Sequence, residues 1–232
     1  MAIDREQRQR IVASQRDAWQ RFGFHPNALF WSNREIQEIR FRILLEAGMH
    51  SGESLLDVGC GFGDFSAWLA GQGIAVNYTG IDLSPELLEE GRQRYPHIEL
   101  VEGDLFEFDP PPKSYDWVTL SGTLNRDHGD GGEYARSIIR RMYEICRKGI
   151  AFNLLDARHE WTRGRWDLQS FHPDQIAELV SELSPSHDIR SRPATTSGMV
   201  IFPMILPCWS GRKHPHHESD AASDAFRTRQ RW

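Results

Sequence analysis

The 232-residue sequence predicts an α/β protein, a three-layer sandwich built on a mostly parallel seven-stranded sheet with a C-terminal antiparallel strand. Short apolar runs typical of buried strands alternate with longer segments of helical periodicity, the order that produces parallel sheets. A glycine-rich turn follows the first of these runs, and the later runs end in polar or small residues. These strand ends predict a ligand site at one rim of the sheet.

Three regions are expected from the composition along the chain. Residues 1–30 are predicted to form a helical extension, in which residues 4–21 make an amphipathic helix. The α/β domain is expected over residues 31–206, beginning with a helix from about 33 to 47 that Asn33 or Ser32 caps. Residues 207–232 are polar and poor in aliphatic side chains, which predicts a flexible tail.

The most informative segment is the turn that follows the apolar run at residues 55–58. It contains Gly59, Gly61 and Gly63 at alternate positions, and a helical pattern resumes directly after it. Glycines let the main chain turn tightly and approach a ligand with no Cβ atom in the way. The free N–H groups of the following helix point back at the same place, so this turn predicts a nucleotide-type binding site.

Acidic and small residues close the next three predicted strands. Asp82 ends the second strand, nineteen residues after Gly63, where a carboxylate can accept both ribose hydroxyls of an adenosine. Asp104 follows the third strand, and Ser121 follows the fourth, which is predicted over residues 115–120. Because the carboxyl ends of parallel strands share one edge of the sheet, these side chains are expected to converge.

The remaining helices and strands are predicted from the same local patterns. A helix is predicted from residue 133 to 147, with Lys148-Gly149 as its C-terminal signal, followed by a fifth strand over 150–155. Residues 156–171 read as a loop that covers the substrate, and a helix runs from Pro173 to about 183. The last two strands are expected at 187–192 and 198–205.

In order, the motifs Leu-Asp-Val-Gly-Cys-Gly-Phe-Gly, Gly-Ile-Asp-Leu-Ser, Glu-Gly-Asp-Leu and Tyr-Asp-Trp-Val resemble those of class I S-adenosylmethionine-dependent methyltransferases. The resemblance covers roughly residues 31–205 and implies a Rossmann-like fold with S-adenosylmethionine as the cofactor and S-adenosylhomocysteine as its product. A looser likeness in residues 140–155 is to a bacterial branch of these enzymes that is associated with sugars and polysaccharides. It implies a small-molecule or sugar acceptor.

The resemblance also implies roles for individual residues. The three glycines line the methionine part of the cofactor, Asp82 holds the ribose, and Asp104 accepts from the adenine amino group. Each role has a structural alternative, since a carboxylate also caps strand ends and helix starts. The other expected cofactor contacts are Arg40 for the cofactor carboxylate, Asp57 for the loop amides, Leu83 and Leu105 for adenine, and Ser121.

The catalytic residues are less determined, because methyl transfer from a sulfonium needs mainly positioning and only sometimes a base. His128 and Asp127 are the leading candidates, since they lie just beyond the fourth strand. His25 and His159 remain alternatives, and a solvated loop histidine is the structural alternative for all three. No metal site is expected, because His214, His216 and His217 lie in the predicted tail.

Composition restricts the setting of the protein. The formal net charge is −6, with the acidic excess in residues 51–211, which argues against a nucleic-acid partner. There is no apolar stretch of 18 residues and no secretory h-region, so neither a membrane span nor a signal peptide is expected. The three widely spaced cysteines are typical of reduced thiols, which favours a cytoplasmic protein, and a homodimer is possible.

The sequence leaves two other functions open. A catalytically silent methyltransferase-like module would bind the cofactor, or nothing, and act through its flanking segments. A nicotinamide-dependent oxidoreductase is disfavoured, because its fingerprint is Gly-x-Gly-x-x-Gly, and position 64 is an aspartate here.

Overall fold

The computed structural model describes residues 3–183 throughout, and beyond them the backbone of 188–189, 192–193, 199–202 and 204–205. The expected tail at 207–232 lies outside these described residues. The helices are α1 (Arg5–Phe22), α2 (Arg34–Leu45), α3 (Asp64–Gly71), α4 (Pro85–Arg94), α5 (Leu105–Phe108), α6 (Glu133–Ile145) and α7 (Pro173–Leu183), with a 3₁₀ turn at Pro26–Leu29. The strands are β1 (Ser54–Val58), β2 (Asn77–Asp82), β3 (Glu99–Glu102), β4 (Tyr115–Leu120), β5 (Cys146–Asp156), β6 (Ser170–Phe171), β7 (Asp188–Ile189), β8 (Arg192–Pro193), β9 (Met199–Phe202) and β10 (Met204–Ile205).

The main sheet has the order β3-β2-β1-β4-β5-β9-β8, with β6 also paired to β5. Six strands, β1 to β6, run parallel, and β9 pairs antiparallel to β5. The predicted α/β Rossmann-like class with a mostly parallel sheet is therefore confirmed. The predicted count of seven strands is not, because this sheet contains eight, including the two-residue strands β6 and β8.

Helices cover both faces of this sheet. On one face, α5, α6 and α7 pack against apolar side chains of β1, β2, β4 and β5. On the other, α2, α3 and α4 pack around Leu55 and Trp117. The order in which strands are added reverses at β1: the chain proceeds from β1 to β2 and β3 on one side, and then continues with β4 and β5 on the other side of β1. In a parallel sheet of this kind, ligands bind beyond the carboxyl ends of the strands at that point.

The predicted boundary between α6 and β5 is wrong. The helix ends at Ile145 rather than at 147, and Lys148 and Gly149 lie in β5 instead of closing the helix. Strand pairing overrides the local helix-stop signal, because Gly149 is paired with Trp117 of β4. Arg147 and Lys148 pair with Asp116 and Glu53 at the amino-terminal rim of the sheet, opposite the glycine turn.

Candidate functional site

The glycine turn links β1 to α3 at the switch point of the sheet. All three glycines have positive φ, and Gly61, at +58°, is in the left-handed region that side chains rarely adopt. The amides of Gly59 and Cys60 donate to the Ile81 carbonyl at 2.8 and 3.0 Å, which fixes the turn to the end of β2. A Cβ atom at Gly61 would lie 2.6 Å from Leu29 Cδ2, and one at Gly59 would collide with the Thr123 side chain.

The Asp82 carboxylate joins this turn to the end of β2. One oxygen accepts from the Gly61 amide and the other from the Ser84 amide, both at 2.9 Å. The residue is 8% exposed, and burial raises the pKa of its carboxyl group against the lowering effect of these amides. Because a carboxylate oxygen can accept two hydrogen bonds, each oxygen of Asp82 retains acceptor capacity for a further donor.

Asp57 lies in β1, the strand next to that of Asp82, and has a different role in the structure. It accepts from the Tyr78 hydroxyl at 2.6 Å and from Thr119 Oγ1 at 2.9 Å, which joins β1 to both neighbouring strands. The loop amide of Gly61 donates to Asp82 and not to Asp57. Burial is the largest influence on Asp57 and raises the pKa of its carboxyl group to about 6.

The predicted adenine contacts fall into two groups. Asp104 caps α5 by accepting the amides of Phe106 and Glu107 at 2.8 Å, both on Oδ1, so Oδ2 is not needed for the cap. Leu83 follows Asp82 and is half-buried. Leu105, in contrast, is completely buried in the core beneath α6. The geometry therefore leaves Leu83 nearer to a ligand surface than Leu105.

A residue that was not predicted from the sequence holds the end of β4, at Ser121 and Gly122. Asn153 of β5 is completely buried, donates to Ser121 Oγ and accepts from the Gly122 amide, both at 2.8 Å. Nothing in its local sequence distinguishes Asn153 from other polar strand residues. The contact becomes visible only when β5 is placed beside β4.

Arg40 reaches the same end of β4 through an aromatic contact. Its guanidinium lies over the Trp31 ring, 4.6 Å from the centroid, and the residue is 3% exposed. A Cβ atom at Gly122 would lie 2.6 Å from the far edge of the same indole. Burial lowers the pKa of the Arg40 guanidinium to about 10, so that this group is still a cation at neutral pH.

The N-terminal segment lies over the glycine turn. Leu29 contacts Gly61, and the Phe24 ring lies 4.9 Å from the Phe62 ring. Asp64, in the first turn of α3, anchors this cover by accepting from Arg34, Gln37 and Tyr95 at 3.2, 3.1 and 2.9 Å. The sequence predicts a helical extension over residues 1–30 but does not place it against the glycine turn.

His128 and Asp127 lie in the loop after β4. The ring of His128 meets that of Tyr134 edge-on at 5.2 Å, and burial, the largest influence, lowers the pKa of His128 against the raising effect of the charge on Asp130. Burial and the charge of Asp104 raise the pKa of Tyr134. The Gln7 side chain donates to the His128 carbonyl at 3.4 Å, so the loop lies against the helix whose Arg8 pairs with Glu102 and Glu107 beside the end of β3. Asp127 accepts the Gly129 amide at 2.8 Å and shapes the loop.

Three further features of the described residues concern cavities, metal binding and membrane spans. Cavities of about 430 and 160 Å³ lie at the amino-terminal rim of the sheet and between α6 and α7, and the glycine turn lines neither of them. Among the described residues, no group of three or more histidine, cysteine or acidic side chains is placed to hold a metal ion. No helix in the same part of the chain is long and apolar enough to cross a membrane.

Sequence comparisons relate part of the chain to known methyltransferases. Residues 55–149 match a family described as a methyltransferase domain. A demethylmenaquinone methyltransferase of Listeria welshimeri serovar 6b is 30% identical over 114 residues, 47% of this chain and 46% of that protein. The match thus spans about half the length of this curated relative.

Two solved structures have a similar fold. The magnesium protoporphyrin IX methyltransferase of Synechocystis PCC 6803 is 17% identical with a TM-score of 0.63, covering 86% of this chain and 97% of that one. The [4+2]-cyclase SpnF is 18% identical with a TM-score of 0.55, covering 69% of this chain and 61% of that one. At these identities the likeness shows the Rossmann-like fold alone.

Proposed function

We propose that this chain transfers the methyl group of S-adenosylmethionine to an oxygen or nitrogen atom of a small molecule. The observation that carries the proposal is the hydrogen bond between Asp82 and the amide of Gly61, which unites the glycine turn and the acidic strand end in one site. That site lies within the segment that matches a methyltransferase domain, for which S-adenosylmethionine is the expected cofactor.

The residues present fit such a cofactor. The turn between β1 and α3 offers main chain without Cβ atoms, and each oxygen of Asp82 can accept one ribose hydroxyl while keeping its amide bond. The side chains of Leu29 and Thr123 cover Gly61 and Gly59. Admission of the cofactor therefore requires the side chains of Leu29 and Thr123 to turn away from the glycines.

The remaining assignments follow from position on the rim. Arg40, held against Trp31 at the end of β4, would pair with the carboxylate of the cofactor. Asp104 Oδ2 would accept the adenine amino group, with Leu83 and Ser121 alongside. The bound sulfonium supplies an activated methyl group, and the chain has to hold the acceptor atom in line with it.

The acceptor is proposed to bind where the loops after β4 and β5 meet. Arg126 and Leu168 form an antiparallel bridge, and the Gln169 amide donates to the Asn125 carbonyl at 3.0 Å. This joined pair of loops exposes Trp161 and Trp166, at 52% and 87%. Exposed indoles suit a flat or apolar small molecule and the apolar face of a sugar ring. The sugar acceptor, a homodimer and a cytoplasmic location remain predictions.

His128 is proposed as the general base, with Asp127 adjacent to it. Replacing His128 with Ala is expected to lower the methyl-transfer rate by roughly 100-fold and to remove its acidic pKa from the pH–rate profile. The check is the rate with labelled cofactor from pH 5 to 9, with His172→Ala as the matched control. An unchanged rate and profile would show that His128 is not the base.

A silent cofactor-binding module is the second candidate, favoured by the side chains that cover the glycine turn. Calorimetric titration with S-adenosylmethionine, S-adenosylhomocysteine and NAD separates the candidates. We expect the two adenosyl compounds to bind at micromolar levels and NAD not to bind. Binding of NAD alone would contradict the proposal, and binding without methylated product from a metabolite pool would favour the silent module.

A further inference from the structure

Helix α1 lies across the carboxyl rim of the sheet. Arg8 pairs with Glu102 and Glu107 beside the end of β3, and Arg16 pairs with Glu86 at the start of α4. From the same helix, Ser14 Oγ accepts from the Arg126 guanidinium at 3.3 Å, in the loop after β4. One helix therefore contacts the start of α4, the end of β3 with α5, and the loop after β4.

The inner face of α1 carries two buried polar atoms with no hydrogen-bond partner among the described residues, Gln15 Oε1 and Trp19 Nε1. The two residues are four positions apart, so they lie one above the other on the helix. Buried donors and acceptors in folded proteins are nearly always paired, because leaving one unpaired is unfavourable. An acceptor and a donor on one face therefore indicate a ligand that supplies their partners.

The surroundings of the two residues place them over the proposed nucleoside site. Trp19 packs against the cluster of Phe62, in the glycine turn, and Leu87, in the first turn of α4. Gln15 lies one turn before Trp19 on the same face of the helix, and Asn125 Oδ1, in the loop after β4, is a third buried acceptor without a described partner. Helix α1 thus lies between the start of α4, next to Asp82, and the loop after β4, which Ser14 contacts through Arg126.

We propose that α1 forms a wall of the cofactor site, where Trp19 Nε1 and Gln15 Oε1 hydrogen-bond to the adenosyl group. This inference rests on the proposed function. A ribose hydroxyl that donates its proton to Asp82 still has lone pairs, so that it can accept from Trp19 Nε1. Gln15 Oε1 then accepts from an N–H or O–H of the same nucleoside. The helix is part of the recognition surface and not only a cover.

The test combines ligand affinity with the stability of the ligand-free chain. Gln15→Leu and Trp19→Phe are each expected to weaken S-adenosylhomocysteine binding roughly fivefold to tenfold, the effect of one lost hydrogen bond. The unfolding temperature of the ligand-free Gln15→Leu variant is expected to stay level or rise, because an unpaired buried acceptor is removed. Gln20→Leu, on the exposed face of the same helix, is the matched control and should change neither quantity.

Each other outcome overturns the inference. Unchanged affinity would mean that ordered water pairs these atoms in every state. A parallel fall of affinity and unfolding temperature in Gln15→Leu would assign the residue to packing. If the wild-type chain binds S-adenosylhomocysteine while both variants match it, only this inference fails. If the wild-type chain does not bind it, the proposed function fails and this inference fails with it.

Discussion

Replacing Asp82 with Asn is expected to weaken S-adenosylhomocysteine binding by roughly 100-fold, since two hydrogen bonds to an ionised group contribute about 3 kcal/mol or more. Both carboxylate oxygens accept backbone amides, from Gly61 and Ser84. An asparagine must turn its NH₂ group toward one of these amides, so that one N–H loses its acceptor. The variant therefore disturbs the glycine turn as well as the ribose contact.

The stability of this variant separates a binding role from a structural one. Burial disfavours the charged form of Asp82. A neutral asparagine therefore regains part of the free energy that is lost with one hydrogen bond to a backbone amide. We expect the free energy of unfolding at pH 7.5 to change by less than about 2 kcal/mol. Asp17→Asn, an exposed carboxylate on α1, is the control. An affinity within threefold of wild type would exclude Asp82 from the ribose site.

The stability of the wild-type chain is expected to fall as the pH rises from about 4 to about 7, because of Asp57. Its carboxyl pKa is raised from 3.8 to about 6 in the folded chain, so the folded state binds this proton more tightly than the unfolded state. The stabilisation is complete below the unfolded pKa and is lost as the pH rises through the folded pKa. A shift of this size corresponds to about 3 kcal/mol.

Asp57→Asn isolates this contribution. An asparagine can still accept from the Tyr78 hydroxyl and can donate to Thr119 Oγ1, so the contacts of the sheet survive. Urea unfolding at several pH values between 4.5 and 7.5 measures the free energy of unfolding of both proteins. That of the variant should rise relative to that of the wild type as the pH rises. Asp116, whose pKa is lowered to about 2, titrates below this window. A difference that does not vary with pH would contradict the raised pKa.

The parts of the site that follow from short sequence patterns were predictable. The glycine turn, Asp82 and Asp104 lie at the ends of β1, β2 and β3, because an apolar run followed by a turn residue fixes both the strand and its rim. The fourth strand, residues 115–120, and the helix from Pro173 to 183 are also confirmed. These elements depend on local periodicity and on turn chemistry.

The parts that depend on distant contacts were not predictable. Leu29 and Thr123 cover the glycine turn from segments about 30 and 60 residues away, and no local pattern signals either contact. Asn153 reads as an ordinary strand residue until β5 is paired with β4. The stop signal at Lys148-Gly149 was misleading for the same reason, since the strand register and not the helix decides where α6 ends.

The two ends of α1 are attached to the domain by different forces. Near its start, Arg8 pairs with the half-exposed carboxylates of Glu102 and Glu107, whereas toward its end Ala18 is buried and Trp19 packs against apolar side chains, next to the pair of Arg16 with Glu86. Dissolved salt screens the former contacts and leaves the latter unchanged. Ionic strength therefore acts most on the start of the helix, where ion pairs are the described contacts to the domain. In concentrated salt we expect the start of α1 to separate from the end of β3 first, while the end near Phe62 stays packed.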